Sequence, residues 1–214
     1  LNTGGGYVGL HGSAGDPVYF WDWYPDTLIG ARFAGHPRNP QFQEARIAVN
    51  HQHPLAHGLP TEWRMTDEWY SFKTNPRAAG AQVILTLDES SYNPNDPMMP
   101  GLVMGADHPL AWTNCIGPKG RERGRMFYSA IGHRPETYSE PNHVALLEAA
   151  IGWAATAKRA CPGAARGCAT IMPQAGAKAT SPACLGRKVA LTEMVINSDR
   201  LRLLLVYLDV SLGG

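Results

Sequence analysis

Gly4-Gly5-Gly6-Tyr7-Val8-Gly9-Leu10-His11-Gly12-Ser13-Ala14-Gly15 is the stretch on which the reading of this chain turns. The short apolar run from Tyr7 to Leu10 has the form of a buried strand. It ends at His11 and breaks at once into Gly12-Ser13-Ala14-Gly15. In an open α/β sheet, ligands bind just beyond the carboxyl ends of strands, where backbone comes close and side chains converge. Glycines let such a turn take φ > 0 without a Cβ clash. His11 therefore stands either at the mouth of a site or in a Gly-rich turn as a structural histidine.

A second unit repeats this design. Arg125 to Ile131 reads as a buried strand, and Gly132-His133-Arg134-Pro135-Glu136-Thr137-Tyr138 follows it. A strand over Gln43 to Asn50 is marked by Ala45, Ile47 and Val49 on one face, and another runs from Gln82 to Leu87. Between them, a strand in Trp63 to Phe72 would put Asp67 and Glu68 on opposite faces. Both would serve one site only across a bulge. Ser90 to Gly101 reads as a Pro/Asn surface loop suited to a lid, and Asp107-His108 enters a further strand. A helix or helical turns are expected from Pro17 to about Ile29, and a longer helix from Pro141 to about Lys158. Ser139 or Glu140 caps the longer helix, and Val144, Leu147, Ile151 and Ala154 share one of its faces.

The totals narrow the classes. The 214 residues are 44% hydrophobic and carry a formal net charge of +1, so a core can form and no basic field invites nucleic acid or an anionic membrane. No run is long enough to insert in a membrane. The chain starts at Leu1 without a leader, as expected after removal of a signal or in a fragment. Six Trp, eight Tyr and eight His are many for this length and cluster between Tyr19 and His133, which suggests a carbohydrate or metal cleft. His51, His53 and His57 have ligand-like spacing, yet in Pro/Gly-rich sequence they also read as solvated loop histidines. Cys115 stands alone, while Cys161, Cys168 and Cys184 lie together without knuckle spacing. A Cys161–Cys168 disulfide would favour an extracytoplasmic protein. Residues 159–186 are an Ala/Gly/Pro-rich linker, and 187–214 look like the start of a further β-rich domain, covalently linked to the first.

The pieces GGGYVGLHGSAG, WDWY with GARFAGHP, HPLAHGLP followed by TDEWYSF, LTLDES, MGADHPLAW and GRMFYSAIGHRPETY resemble, in that order, the ThuA-like (trehalose utilisation) family. The resemblance covers residues 1–158. It implies an α/β fold of the class I glutamine amidotransferase-like, flavodoxin-like kind: three layers, a mostly parallel sheet flanked by helices, incomplete at the N-terminus. Residues from Arg187 onward faintly resemble the opening strands of a sugar-dehydrogenase-like β-propeller. In the amidotransferases a cysteine occupies the strand-to-helix elbow. Here that region holds His11 and Ser13 and has no cysteine, so a glutaminase, which needs a thiolate, is excluded. Ser13 with His133 as base does not meet the G-x-S-x-G elbow pattern either.

The resemblance implies a small-molecule carbohydrate partner, trehalose or a related (keto-)sugar, and acid–base chemistry by imidazole and carboxylate. His11 and His133 would face each other, with Asp67, Glu68, Asp107, His108 and Glu136 as further catalytic candidates. Trp21, Trp23, His36, Trp69, Tyr70, Trp112 and Tyr138 are the candidate substrate contacts. A divalent metal would draw on His11, His36 and His133. The alternative is a non-catalytic carbohydrate-binding module of a larger secreted sugar-active protein, with the aromatic residues stacking on pyranose faces.

Overall fold

The computed structural model describes residues 1, 4–118 and 124–156. The linker, the further β-rich segment and the Cys161–Cys168 pairing lie outside the described residues. Among the described residues eight strands form: β1 (Gly5–Leu10), β2 (Phe33–Gly35), β3 (Phe42–Val49), β4 (Glu62–Glu68), β5 (Ser71–Phe72), β6 (Gln82–Asp88), β7 (His108–Ile116) and β8 (Gly124–Ser129). Six of them make one sheet in the order β1-β8-β7-β6-β3-β4, and β2 pairs with β5 in a small second sheet.

The broad α/β class holds, but the expected mostly parallel sheet does not. Among the described residues only β1 and β8 run parallel, with Tyr7 beside Met126. The pairs β3–β4, β3–β6, β6–β7 and β7–β8 are antiparallel. Parallel neighbours need a crossover, usually a helix, to carry the chain back. Among the described residues no α-helix lies between β1 and β8, and the connections consist of loops, 3-10 turns and one short π-helical segment.

The one α-helix among the described residues, α1 (Pro141–Ala154), is capped by Glu140, whose carboxylate accepts the His143 backbone N–H at 2.6 Å. Its buried face is His143, Leu146, Ala150 and Ala154, whereas Ile151 is 46% exposed. The face expected from Val144, Leu147 and Ile151 is thus rotated. The adjacent pairs Leu146-Leu147 and Ala149-Ala150 permit either stripe. Buried His143 decides between them, donating from Nδ1 to the Thr137 carbonyl at 2.9 Å. The helix lies so close to β1 that a Cβ on Gly6 would come within 2.5 Å of the Ala154 carbonyl oxygen.

The other face of β7 and β8 is covered by a short π-helical segment, Tyr24–Ile29, which ends where the helix or helical turns expected from Pro17 were to end but starts later. Trp112, fully buried, donates its indole N–H to the Ile29 carbonyl at 2.8 Å. Cys115 is disulfide-bonded and so does not stand alone. Among the described residues no helix is long and apolar enough to cross a membrane. The right-handed twist of strands accumulates across a sheet. Here the sheet curls until its two edges meet: His11, after β1, lies 3.1 Å from Glu68, the last residue of β4.

Candidate functional site

The site forms where the carboxyl ends of β1, β4 and β8 converge. His11 leaves β1 at φ 37°, a left-handed conformation that a residue with a Cβ adopts at some cost. Tyr128 holds it there by donating its hydroxyl to the His11 carbonyl at 2.9 Å. The imidazole stacks on Tyr70, with ring centroids 4.0 Å apart. Its Nδ1 lies 2.7 Å from the Ala130 carbonyl oxygen, which can only accept, so Nδ1 carries a proton. Nε2 then faces Glu68 Oε2 at 3.1 Å and His133 Nδ1 at 3.3 Å. His133 Nδ1 is itself 3.1 Å from Glu68 Oε2.

Glu68 is 2% exposed, and both its oxygens are engaged. Oε1 accepts from the Gln41 side-chain amide and lies 3.3 Å from His36 Nδ1. Burial alone would raise its carboxyl pKa. The hydrogen bonds from His11 and Gln41 and the charges of His36 and His133 outweigh that and bring it down to about 2. Tyr70 shifts upward, first because it is buried and then because Glu68 and Asp67 are near.

Asp67 does not touch the imidazoles. It accepts the backbone N–H of Gly132 at 2.7 Å and that of Arg134 at 3.2 Å, so it clamps the turn that carries His133. Tyr138 adds a bond from its hydroxyl to the Gly132 carbonyl at 3.1 Å. Gly132 sits at φ 138°, and a Cβ there would come within 2.6 Å of the Tyr138 hydroxyl. The adjacent carboxylates thus meet the same turn, one through backbone and one through side chain, because β4 ends at Glu68.

The other sequence candidates are engaged elsewhere. Asp107 pairs with Arg77 at 2.9 Å and Asn75 at 2.8 Å. His108, fully buried, bridges Glu89 and the Tyr70 carbonyl, each at 2.8 Å, and so supports the backbone behind Tyr70. Glu136 is exposed and lies 3.4 Å from Arg134. Trp69 and Trp112 are fully buried, so neither presents a face to a ligand. Trp21 is 54% exposed and stacks on Trp23 at 4.9 Å. Ser13 Oγ is buried without a hydrogen-bond partner, so no base activates it. Of the loop histidines, His51 and His57 are exposed, while buried His53 faces Thr113 Oγ1 at 2.9 Å. The loop expected to act as a lid is tied to β3 by paired bonds between Gln43 and Asn93, at 2.9 and 3.0 Å.

Two contributors have no sequence signature. Gln41 orients Glu68, and Phe42, 40% exposed, places its ring 5.1 Å from that of His133. Both precede or begin an unremarkable strand, and only the curl of the sheet brings them to the histidines. Among the described residues, His11, Glu68 and His133 form a group whose donor atoms all lie within 4.8 Å of one another and could hold a cation. His36 is outside it, because its Nδ1 faces the other Glu68 oxygen and the Pro37 carbonyl.

Two imidazoles and a carboxylate meeting at the strand ends of a curled α/β sheet define the class of this domain. The family model for ThuA, trehalose utilisation, matches residues 1–154, and the chain belongs to that family. A ThuA-like protein from Bacteroides uniformis ATCC 8492 is similar in structure at 27% identity and a TM-score of 0.57, covering 72% of this chain and 60% of that one. A ThuA-like protein from Parabacteroides merdae ATCC 43184 aligns at 21% identity and a TM-score of 0.49, covering 73% of this chain and 62% of that one. The chain thus spans about three fifths of the length of these relatives. No curated protein matches it significantly.

Proposed function

We propose that this ThuA-family chain processes trehalose or a related (keto-)sugar by acid–base chemistry centred on His11, Glu68 and His133. The observation that carries the reading is the meeting of two imidazole nitrogens at one buried carboxylate oxygen, 3.1 Å from each. The family's description supplies the substrate class. Glu68 stays ionised at any physiological pH, so it serves as a fixed negative charge and leaves proton transfer to the histidines. His133, with its side chain 39% exposed, is the group a substrate can reach. A keto group acidifies the neighbouring C–H, and an imidazole working near neutral pH suits removal of that proton. The exposed Phe42 ring beside His133 offers an apolar face for a sugar ring.

Turnover of trehalose, other disaccharides and their 3-keto derivatives by wild type, His11→Ala and His133→Ala tests this. Loss of a positioned acid or base lowers the rate by about 10²–10⁴-fold. Undiminished turnover in both variants would sink the reading. A second reading, a non-catalytic carbohydrate-binding module, is favoured by exposed Trp21, stacked on half-buried Trp23. Saturable sugar binding without turnover, abolished in Trp21→Ala, would select it.

A further inference from the structure

We propose that His11 Nε2, Glu68 Oε2 and His133 Nδ1 form the three-ligand shell of a zinc-like divalent first-row transition ion. The inference shares its site with the proposed sugar chemistry but is tested without reference to turnover.

The three atoms make a triangle with edges of 3.1, 3.1 and 3.3 Å. Protons alone leave at least one edge in conflict for every arrangement that keeps Glu68 a carboxylate, and all three when neither nitrogen carries one. If both nitrogens carry protons, two N–H groups face each other across the 3.3 Å edge. If only His11 Nε2 does, the His133 lone pair faces a carboxylate oxygen at 3.1 Å. If only His133 Nδ1 does, the same conflict falls on His11. A cation between them meets three lone pairs at once.

The size also fits. With metal–ligand bonds of about 2.0–2.1 Å, ligands at tetrahedral angles lie roughly 3.3–3.4 Å apart and ligands at right angles roughly 2.9 Å apart. The observed edges fall between these limits. The surroundings match what a metal shell requires of its outer partners. The His11 Nδ1–H donates to the Ala130 carbonyl, which turns the Nε2 lone pair inward. Gln41 and His36 occupy Oε1 and leave Oε2 free to act as a single-oxygen ligand. Asp67 anchors the His133 turn through two backbone N–H groups. Three protein ligands, one of them 39% exposed, leave coordination positions open on the solvent side, as in catalytic sites.

The test uses the purified chain, stripped with a chelator, dialysed and titrated with Zn²⁺ and with Co²⁺. Bound metal is counted by elemental analysis, and Co²⁺ is followed by its visible absorption. One equivalent is expected, with a spectrum of lower than octahedral symmetry. His11→Gln and His133→Gln should each weaken binding by at least about 100-fold, more than the roughly 10–100-fold typical of an outer partner, the range expected of His36→Gln or less. His133, partly exposed, serves as the folding-safe variant. Binding well below one equivalent, or equal binding in wild type and His133→Gln, overturns the proposal. Metal bound without sugar turnover leaves the ion site standing and removes the sugar reading. Sugar turnover that depends on His11 and His133 in metal-free protein, with no ion taken up, does the reverse.

Discussion

His53 is a histidine that burial keeps neutral. Its Nδ1 accepts the Leu55 backbone N–H at 3.1 Å, so its proton sits on Nε2 and is given to Thr113 Oγ1. Protonating Nδ1 would break the first bond and place a charge in a buried position. Burial accordingly lowers its pKa from 6.5 to about 4. Between those values the unfolded chain binds a proton that the folded chain refuses, so stability falls as pH drops from about 6.5 towards 4 and levels off below. The shift corresponds to on the order of 3 kcal/mol. His143, also lowered by burial, adds a loss of the same sign. Urea unfolding of wild type and His53→Asn across this range isolates the His53 part as a difference of slopes. Parallel pH profiles would refute the assignment. Glu68 contributes at lower pH: its stabilisation is complete above the ordinary carboxylate range and is lost as pH falls towards 2.

At the scale of elements, β1 and α1 fit tightly against each other at Gly6. Replacing a strand glycine with alanine ordinarily helps, by up to about 1 kcal/mol. At Gly6 the new Cβ would meet the Ala154 carbonyl at 2.5 Å, and neither the strand nor the helix end can yield without moving its neighbours. Overpacking of that kind costs about 1–3 kcal/mol, so the clash wins and Gly6→Ala should lower the urea midpoint. A midpoint at or above wild type would show that the helix gives way. The elements themselves were largely legible. Alternation along Gln43 to Asn50 and the apolar runs before Asp88 and Gly132 mark β3, β6 and β8, and Pro141 marks the start of α1. Strand direction was not legible, because it depends on where each connection lands. The helix face was not legible either, since a buried histidine decides it and apolar spacing does not.

At the scale of the whole molecule, the site exists because a curled sheet brings its first and last strands together. His11 and His133 can be read from the sequence, since each follows a hydrophobic strand at its glycine-bearing end. The choice of Glu68 over Asp67 as their partner cannot, because adjacent carboxylates differ only in which side of β4 they leave, and the curl sets what lies on each side. The edges β1 and β4 are not hydrogen-bonded to each other. Side chains hold the closure, and Asp67 bears its structural share by accepting from Gly132 and Arg134. Asp67→Ala would leave two N–H groups without their acceptor. A buried donor left unpaired costs about 1–3 kcal/mol, so the loss should reach roughly 2–5 kcal/mol. Asp67→Asn keeps one acceptor oxygen but turns an amide donor toward the other N–H, and should fall between. The same two amides should lose hydrogen-exchange protection in Asp67→Ala while α1 keeps its own, because local opening of the His133 turn comes before global unfolding. A change below about 0.5 kcal/mol, the size expected of an ordinary surface substitution, with both amides still protected, would mean that the curl of the sheet closes the site without Asp67.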